Sequence, residues 1–248
     1  SNLRAGMCIY IIYRFGREIH RRLRQNFSHA HISQIIFTDT LHMRTDKLGS
    51  GHTLHFRIHN GIGICEEDGK RILDKVSFTV LKGDKIAFVG TNNIAKSILF
   101  DILMKKKKYQ KGEIIFGKTI NLTYFPVDNT EYFMGEEDIL NWLSKYHKVD
   151  DETALRSFLG RMLFSNDEVF KKVKVLSGGE KARVMLSKMM LEDANFLIFD
   201  EPTNHLDLES ITSLNEGLVR CSSELLIASH DHELISTVSH RIIEIFPN

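Results

Sequence analysis

The sequence lacks the features of secreted, membrane-spanning and strongly basic proteins. Its 248 residues carry a formal net charge of only +1, so no overall field favours a polyanionic partner. Three cysteines occur, without the spacing of a metal site or a disulfide framework, so reduced thiols are expected. The apolar run at residues 7–13 is too short to cross a bilayer and lacks the flanks of a signal peptide. We therefore expect a cytoplasmic chain with no membrane partner.

A short apolar run that ends in two acids is the most informative segment. Residues 196–199 read Phe-Leu-Ile-Phe, and Asp200 and Glu201 follow directly. Such a run is typical of a strand buried on both faces of a parallel sheet. Two carboxylates at its end are costly to bury unless a cation lies nearby. The pair predicts a magnesium ion with nucleotide phosphates, with one acid near the metal and one near an attacking water.

A second segment, Leu176-Ser-Gly-Gly-Glu180, predicts the start of a helix that runs to about Leu191. Ser177 and Glu180 have the spacing of a capping box. The paired glycines leave the backbone open to a ligand. Because a helix N-terminus presents free N–H groups, this start suits an anion such as a phosphate.

A third segment predicts a phosphate-binding loop. The apolar strand at residues 86–89 leads into a loop that ends in Lys96 and Ser97, and an apolar helix follows. Strand, loop and helix in that order are the setting of such loops, in which the lysine reaches the outer phosphates and the hydroxyl binds magnesium. A fourth segment, the apolar run at residues 224–228, places His230 at a strand end. We expect these groups at one edge of an open α/β sheet, where such sheets bind ligands.

Through these motifs, the chain resembles the ATP-binding cassette proteins. Asp200-Glu-Pro-Thr-Asn-His-Leu-Asp207 is similar to the ABC-F branch. Residues 155–165, Met189-Met190 and residues 208–211 resemble the second cassette of YbiT-like members. The resemblance implies an α/β P-loop NTPase fold of the ABC type, with a mostly parallel core sheet, an antiparallel β part and a helical signature subdomain. It also implies the ligands ATP and Mg, a second cassette as head-to-tail partner (from the same full-length chain or a homodimer), and work on the ribosome in translation.

The same resemblance assigns roles to residues. Glu201 is the general base and His230 the switch histidine, while Ser97 and Asp200 hold magnesium. The nucleotide-binding positions are those of the phosphate loop, the signature and the dimer seam: Gly90, Thr91, Asn92, Asn93, Ile94, Ala95, Lys96, Ser97, Ser177, Gly178, Gly179, Glu180 and Asp207.

The sequence departs from the family pattern at three positions of this apparatus. Asn93 and Ala95 replace two glycines of the phosphate loop, and Val127 replaces the glutamine that senses magnesium. Asparagine tolerates a left-handed backbone, whereas alanine at such a position costs roughly 1–2 kcal/mol. No adenine-stacking aromatic occurs in residues 61–68. ATP hydrolysis is expected by resemblance, with these changes impairing it.

We expect the nucleotide-binding domain to span residues 53–248, with its helical subdomain over about 132–191. Residues 1–52 match the family poorly and hold seven arginines and one lysine against three acids. They predict a basic linker or tail, and a basic helix that touches RNA is the alternative.

Two other functions remain open at this point. One is a hydrolysis-deficient module whose signature serves a partner cassette. The other is the ATPase subunit of a membrane transporter, against which Val127 and the Asn-His-Leu-Asp motif argue. One phosphate loop and one signature occur without an internal repeat, so a fragment of a two-cassette protein or a half-size protein are both expected forms.

Overall fold

The computed structural model describes residues 8–13, 54–65, 71–146, 152–162, 164–165 and 167–246. The basic stretch at residues 14–52, for which we expected a linker or tail, lies outside the described residues, as do residues 66–70, which include the end of the segment without an adenine-stacking aromatic.

The core is a sheet of parallel strands, as the short apolar runs predicted. Strands β4, β6, β7, β8 and β9 run in the spatial order β9-β4-β8-β7-β6, and every pairing among them is parallel. Their bounds are Lys85–Val89, Leu122–Phe125, Phe196–Asp200, Glu224–Ala228 and Arg241–Phe246. All five residues of β8 are buried, because helices or the second sheet cover both faces of a central parallel strand.

A sixth strand from the N-terminal stretch completes this sheet. Strand β1 (Cys8–Tyr13) pairs antiparallel with β9, with Cys8 opposite Phe246 and Tyr13 opposite Arg241. This strand falls inside the segment for which we expected a linker or tail, so part of that segment belongs to the sheet.

A second, antiparallel sheet contains β2 (Leu54–Cys65), β3 (Arg71–Leu81) and β5 (Lys111–Phe116), in the order β3-β2-β5. It shares one apolar core with the main sheet and with the helix after the phosphate loop. The ring of Phe88 lies edge-on to Phe78 of the small sheet at 5.6 Å and to Phe100 of that helix at 5.3 Å. This packing fixes the helix against the strand that precedes it.

Six helices are present in the described residues, and three of them make up most of the helical part. Their bounds are α1 Asn93–Leu103, α2 Ile139–Ser144, α3 Glu152–Arg161, α4 Gly178–Leu191, α5 Leu208–Arg220 and α6 His232–Val238. The helical part contains α2, α3 and α4, together with short 3₁₀ turns. Trp142 is buried there between Phe133 and Tyr146, with ring centroids 5.0 Å away in each case, and its indole N–H donates to the Tyr132 carbonyl. Trp142 is therefore a core residue of the helical part.

In the described part of the chain, none of the helices has both the length and the apolar character that a bilayer crossing requires.

Candidate functional site

The site lies at the carboxyl ends of three adjacent parallel strands. The order β4-β8-β7 places the loop after Val89, the residues after Ala228 and the acids after Phe199 side by side. The expectation that these segments meet at one sheet edge is therefore correct.

Asp200 ends β7 and Glu201 follows it, and both are almost completely buried, with 1% and 5% of their surfaces exposed. Glu201 has a left-handed backbone (φ 49°), and its amide donates to the Ala228 carbonyl at 2.8 Å. A left-handed backbone is unfavourable for a residue with a Cβ, so the neighbouring strand holds the acid in a conformation it would not adopt by itself.

Lys96 reaches the second acid from the first turn of α1. Its Nζ lies 3.7 Å from Glu201 Oε1 and is 1% exposed, and neither atom has a hydrogen-bond partner in the described structure. Burial lowers the pKa of Lys96, while the charges of Glu201 and Asp200 act in the opposite direction. A buried ammonium group with unused donors is costly, so this arrangement suits an additional anionic ligand.

Asp200 contacts two hydroxyl groups. The Ser97 hydroxyl hydrogen-bonds its carboxylate, and the Tyr124 hydroxyl donates to Oδ2 at 3.3 Å. Burial raises the pKa of Asp200 to about 6, and the hydrogen bond from Ser97 opposes that shift. Sequence reasoning missed Tyr124, because its side chain shows a polar role only when β6 and β7 are paired.

The loop before α1 is held by glycine and asparagine. Gly90 has a φ of 122°, and a Cβ there would overlap the backbone oxygen of Ile245. Asn92 caps the helix, since its side chain accepts the Ala95 amide at 3.0 Å. Thr91 and Ile94 are exposed.

The strain considered for Ala95 is not present. The helix begins at Asn93, so Asn93 and Ala95 are both helical, and the positive-φ residues other than glycine in the described chain are Lys105, Asp193 and Glu201. The left-handed cost does not arise, because the first helical turn takes the place of a wider loop.

His230 contacts the acid and the loop together. Its Nε2 lies 3.0 Å from Asn93 Oδ1 and 3.3 Å from Glu201 Oε1, and 62% of the side chain is exposed. Lys96, Glu201 and His230, which we predicted from separate motifs, are thus in one cluster. The contact with Asn93 was not predicted.

The signature starts α4 as predicted. Ser177 Oγ accepts the Glu180 amide at 3.4 Å, and Glu180 Oε2 accepts the Ser177 amide at 2.7 Å, so the capping box is confirmed. Lys171 Nζ lies 2.7 Å from the other oxygen of Glu180. Burial acts to raise the pKa of Glu180, but Lys171 and the Ser177 amide outweigh it and lower that pKa to about 2.

The signature glycines pack on the loop that follows the acids. A Cβ on Gly179 would lie 3.0 Å from the His205 carbonyl oxygen, and one on Gly178 would lie 3.5 Å from the His205 side chain. Asp207 caps α5 by accepting the Ser210 amide at 2.8 Å, and Leu208 beside it is 80% exposed. Sequence reasoning used His205 only as a branch marker and missed this contact.

A cleft of about 370 Å³ opens beside Ser97 and Asp200. Val127, where the family has glutamine, lines this cleft with Tyr124 and Asp128, and is 39% exposed. Its side chain has no group that could bind a metal or a phosphate.

A family model described as "ABC transporter" matches residues 73–204, which is more than half of the chain. The chain belongs to the ATP-binding cassette family. The match covers the phosphate loop, the signature and both acids, whereas Asp207 and His230 lie beyond the matched segment.

Curated relatives carry the assignment further. The cassette is 53% identical over 183 residues to "Uncharacterized ABC transporter ATP-binding protein YkpA" of Bacillus subtilis, covering 73% of this chain and 34% of that protein. It is 42% identical to "Probable ATP-binding protein YbiT" of Escherichia coli O157:H7 (66% and 31%). It is 34% identical to "ABC transporter F family member 2" of Arabidopsis thaliana (72% and 26%). The expected YbiT-like, ABC-F identity is confirmed, and the chain spans between about a quarter and a third of the length of these relatives.

Solved structures agree on the fold. The chain "RNase-L Inhibitor" matches with a TM-score of 0.64 at 22% identity, over 79% of this chain and 40% of that one. A second match, "Structure of cbiO1 from clostridium perfringens", has a TM-score of 0.53 at 20% identity, over 72% and 79%. The predicted ABC-type P-loop fold is confirmed.

Proposed function

We propose that this cassette binds Mg-ATP and hydrolyses it as one of two cassettes in an ABC-F protein. The observation that carries the proposal is the cluster of Lys96, Glu201 and His230, built from three strand ends, next to the Ser97–Asp200 pair. A carboxylate base with a cation and a hydrogen-bond donor within 4 Å of it is an arrangement suited to reaction at a phosphate.

The residues fit a polyphosphate. Lys96 offers three donors in a buried position with no hydrogen-bond acceptor among the described residues. It extends from the first turn of a helix, where the backbone dipole also favours negative charge. A phosphate at this point would relieve the cost of the buried ammonium group.

The residues also fit magnesium. Ser97 and Asp200 would hold the ion, and the described residues contain no group of three or more acids, histidines or cysteines able to hold a metal without help. This composition suits Mg²⁺, which commonly keeps one or two protein ligands and takes the rest from phosphates and water. When bound, the ion would neutralise charge on the phosphate oxygens.

Glu201 would act as the general base. Its carboxylate would accept a proton from a water whose oxygen bonds to the γ-phosphorus, while the bond to the bridging oxygen of the ADP leaving group breaks. His230 would donate from Nε2 to a γ-phosphate oxygen and orient it. Both side chains are held by adjacent strands, so little rearrangement would be needed.

A second cassette would complete the site. Ser177, Gly178, Gly179 and Glu180 would contact the γ-phosphate held by that partner, with Asp207 and the exposed Leu208 at the seam. The short span of this chain relative to its relatives supports a partner cassette in the same full-length protein. Ribosome-linked work follows from the ABC-F resemblance and is part of the proposal.

One observation favours a second candidate function. Asn92 already occupies the Ala95 amide, one of the free donors that a phosphate would use, whereas the signature keeps its complete capping box. Under this alternative the cassette would bind no nucleotide of its own and would supply only the signature to a partner.

The test is calorimetric titration of the full chain with Mg-ATP, followed by measurement of phosphate release with and without its partner cassette. The chain is compared with Glu201→Gln and with the loop repair Asn93→Gly/Ala95→Gly. We expect wild type and Glu201→Gln to bind ATP alike and the variant to lose about 10²- to 10⁴-fold in hydrolysis. The exposed variant Glu216→Gln is the control and should behave as wild type. Binding by the repaired loop alone would favour the signature-only function.

A further inference from the structure

Asn93 makes a contact that a glycine at its position could not make. Its Oδ1 lies 3.0 Å from His230 Nε2, across 137 positions of sequence. The side chain is not the helix cap, because that role belongs to Asn92. The capping requirement therefore does not explain the asparagine at position 93.

The contact bears on which ring nitrogen of His230 carries the hydrogen. Nε2 lies 3.3 Å from Glu201 Oε1 as well, and an ionised carboxylate only accepts hydrogen bonds. Because Asn93 Oδ1 and the nearby carboxylate oxygen can only accept, we assign the hydrogen of His230 to Nε2, from which it donates to Asn93. That single hydrogen is the one that His230 would give to a γ-phosphate oxygen.

An oxygen of the γ-phosphate would therefore compete with Asn93 Oδ1 for the single hydrogen on His230 Nε2. A nucleoside triphosphate would have to take the Nε2–H from Asn93, whereas a diphosphate, which lacks the γ-phosphate, would leave the contact intact. Hydrogen bonds of this kind contribute modestly in net terms, and the difference corresponds to about threefold to tenfold in affinity.

We propose that Asn93 is a positioning residue that holds His230 while the γ-phosphate position is empty and thereby lowers the preference of this cassette for ATP over ADP. The inference rests on the proposed nucleotide binding. It assigns to the substituted loop position a part in discriminating between the two nucleotides.

The test is a double-mutant cycle read as the ratio of ADP to ATP dissociation constants, by calorimetry on the full chain. Asn93→Ala removes the contact at an exposed position and keeps a good helix former. We expect it to tighten ATP by about threefold to tenfold relative to ADP. In a His230→Ala background the same substitution should change the ratio by less than about twofold.

Two outcomes would overturn the proposal. An unchanged ratio in Asn93→Ala, or an equal change with His230→Ala present, would show that the contact does not discriminate. Asn92→Ala is the matched control, because loss of the cap should weaken both nucleotides alike and leave the ratio unchanged. If wild type binds neither nucleotide, the nucleotide-binding proposal fails as well, which separates the two failures.

Discussion

At the scale of single residues, Gly90 and Gly83 provide a matched pair. Both have positive φ (122° and 81°), but a Cβ at Gly90 would meet the Ile245 backbone, whereas one at Gly83 would have nothing within 4 Å. We expect Gly90→Ala to lower the free energy of unfolding by about 3 kcal/mol, from strain and overlap together. Gly83→Ala should cost only about 1 kcal/mol, from strain.

Urea unfolding at 25 °C measures both variants. Equal losses would mean that the loop can move away from β9, in which case Gly90 does not fix the start of the phosphate loop.

Single residues also show how far the sequence could predict the site. Lys96, Asp200, Glu201 and His230 were all predicted, because each follows an apolar strand with a recognisable motif, and the structure brings them together. Their chemical roles remain predictions. The Asn93–His230 and Tyr124–Asp200 contacts could not be predicted, since each joins side chains from separate strands or loops whose relative placement only the fold defines.

At the scale of elements, the start of α4 should show an acid-dependent stability. The pKa of Glu180 is lowered to about 2. Its ionised carboxylate therefore stabilises the folded state fully at pH values above its ordinary pKa near 4.5, and this stabilisation is lost as the pH falls towards 2. We expect Glu180→Gln to cost about 2 kcal/mol of unfolding free energy at pH 7 and almost nothing at pH 2.

Denaturant unfolding between pH 7 and pH 2 measures the difference between the two proteins. Glu216→Gln on α5 is the control, since its exposed pair with Arg220 should contribute within about 0.5 kcal/mol. A constant difference across the pH range would contradict the role of the Glu180 charge in the capping box.

The helices themselves were partly predictable. The capping box gave the start of α4 correctly, because its signal is local. The start of α1 at Asn93 was not predicted, since the family pattern suggested a wider loop and outweighed the local capping signal of Asn92.

At the scale of the whole molecule, β1 covers the edge of the main sheet at β9. An exposed strand edge is a template for pairing with another chain. We expect removal of residues 1–13 to lower the midpoint of thermal unfolding by about 5 °C, as for a loss of roughly 2 kcal/mol in a chain of this size, and to cause self-association. Calorimetry and light scattering would measure the two effects.

Removal of residues 1–7 is the matched control, because it leaves β1 in place. Identical behaviour of the two truncated chains would show that β1 adds nothing to the sheet.

The parallel sheet was predictable and β1 was not. Each parallel strand is recognisable in the sequence as a short apolar run. Strand β1, in contrast, precedes a basic segment and pairs with a strand more than 220 residues away. The basic composition of residues 1–52 predicted a linker or tail and gave no sign that residues 8–13 form a strand of the main sheet.

The hydrogen bond from the Glu201 amide to the Ala228 carbonyl has a consequence for how the site opens. It joins the ends of β7 and β8, and so ties the backbone of the acid to the strand that precedes His230. Its amide proton can be replaced by deuterium only when these strand ends separate. The hydrogen-exchange rate of this one amide therefore reports how often the site opens, and it can be measured without any nucleotide or partner.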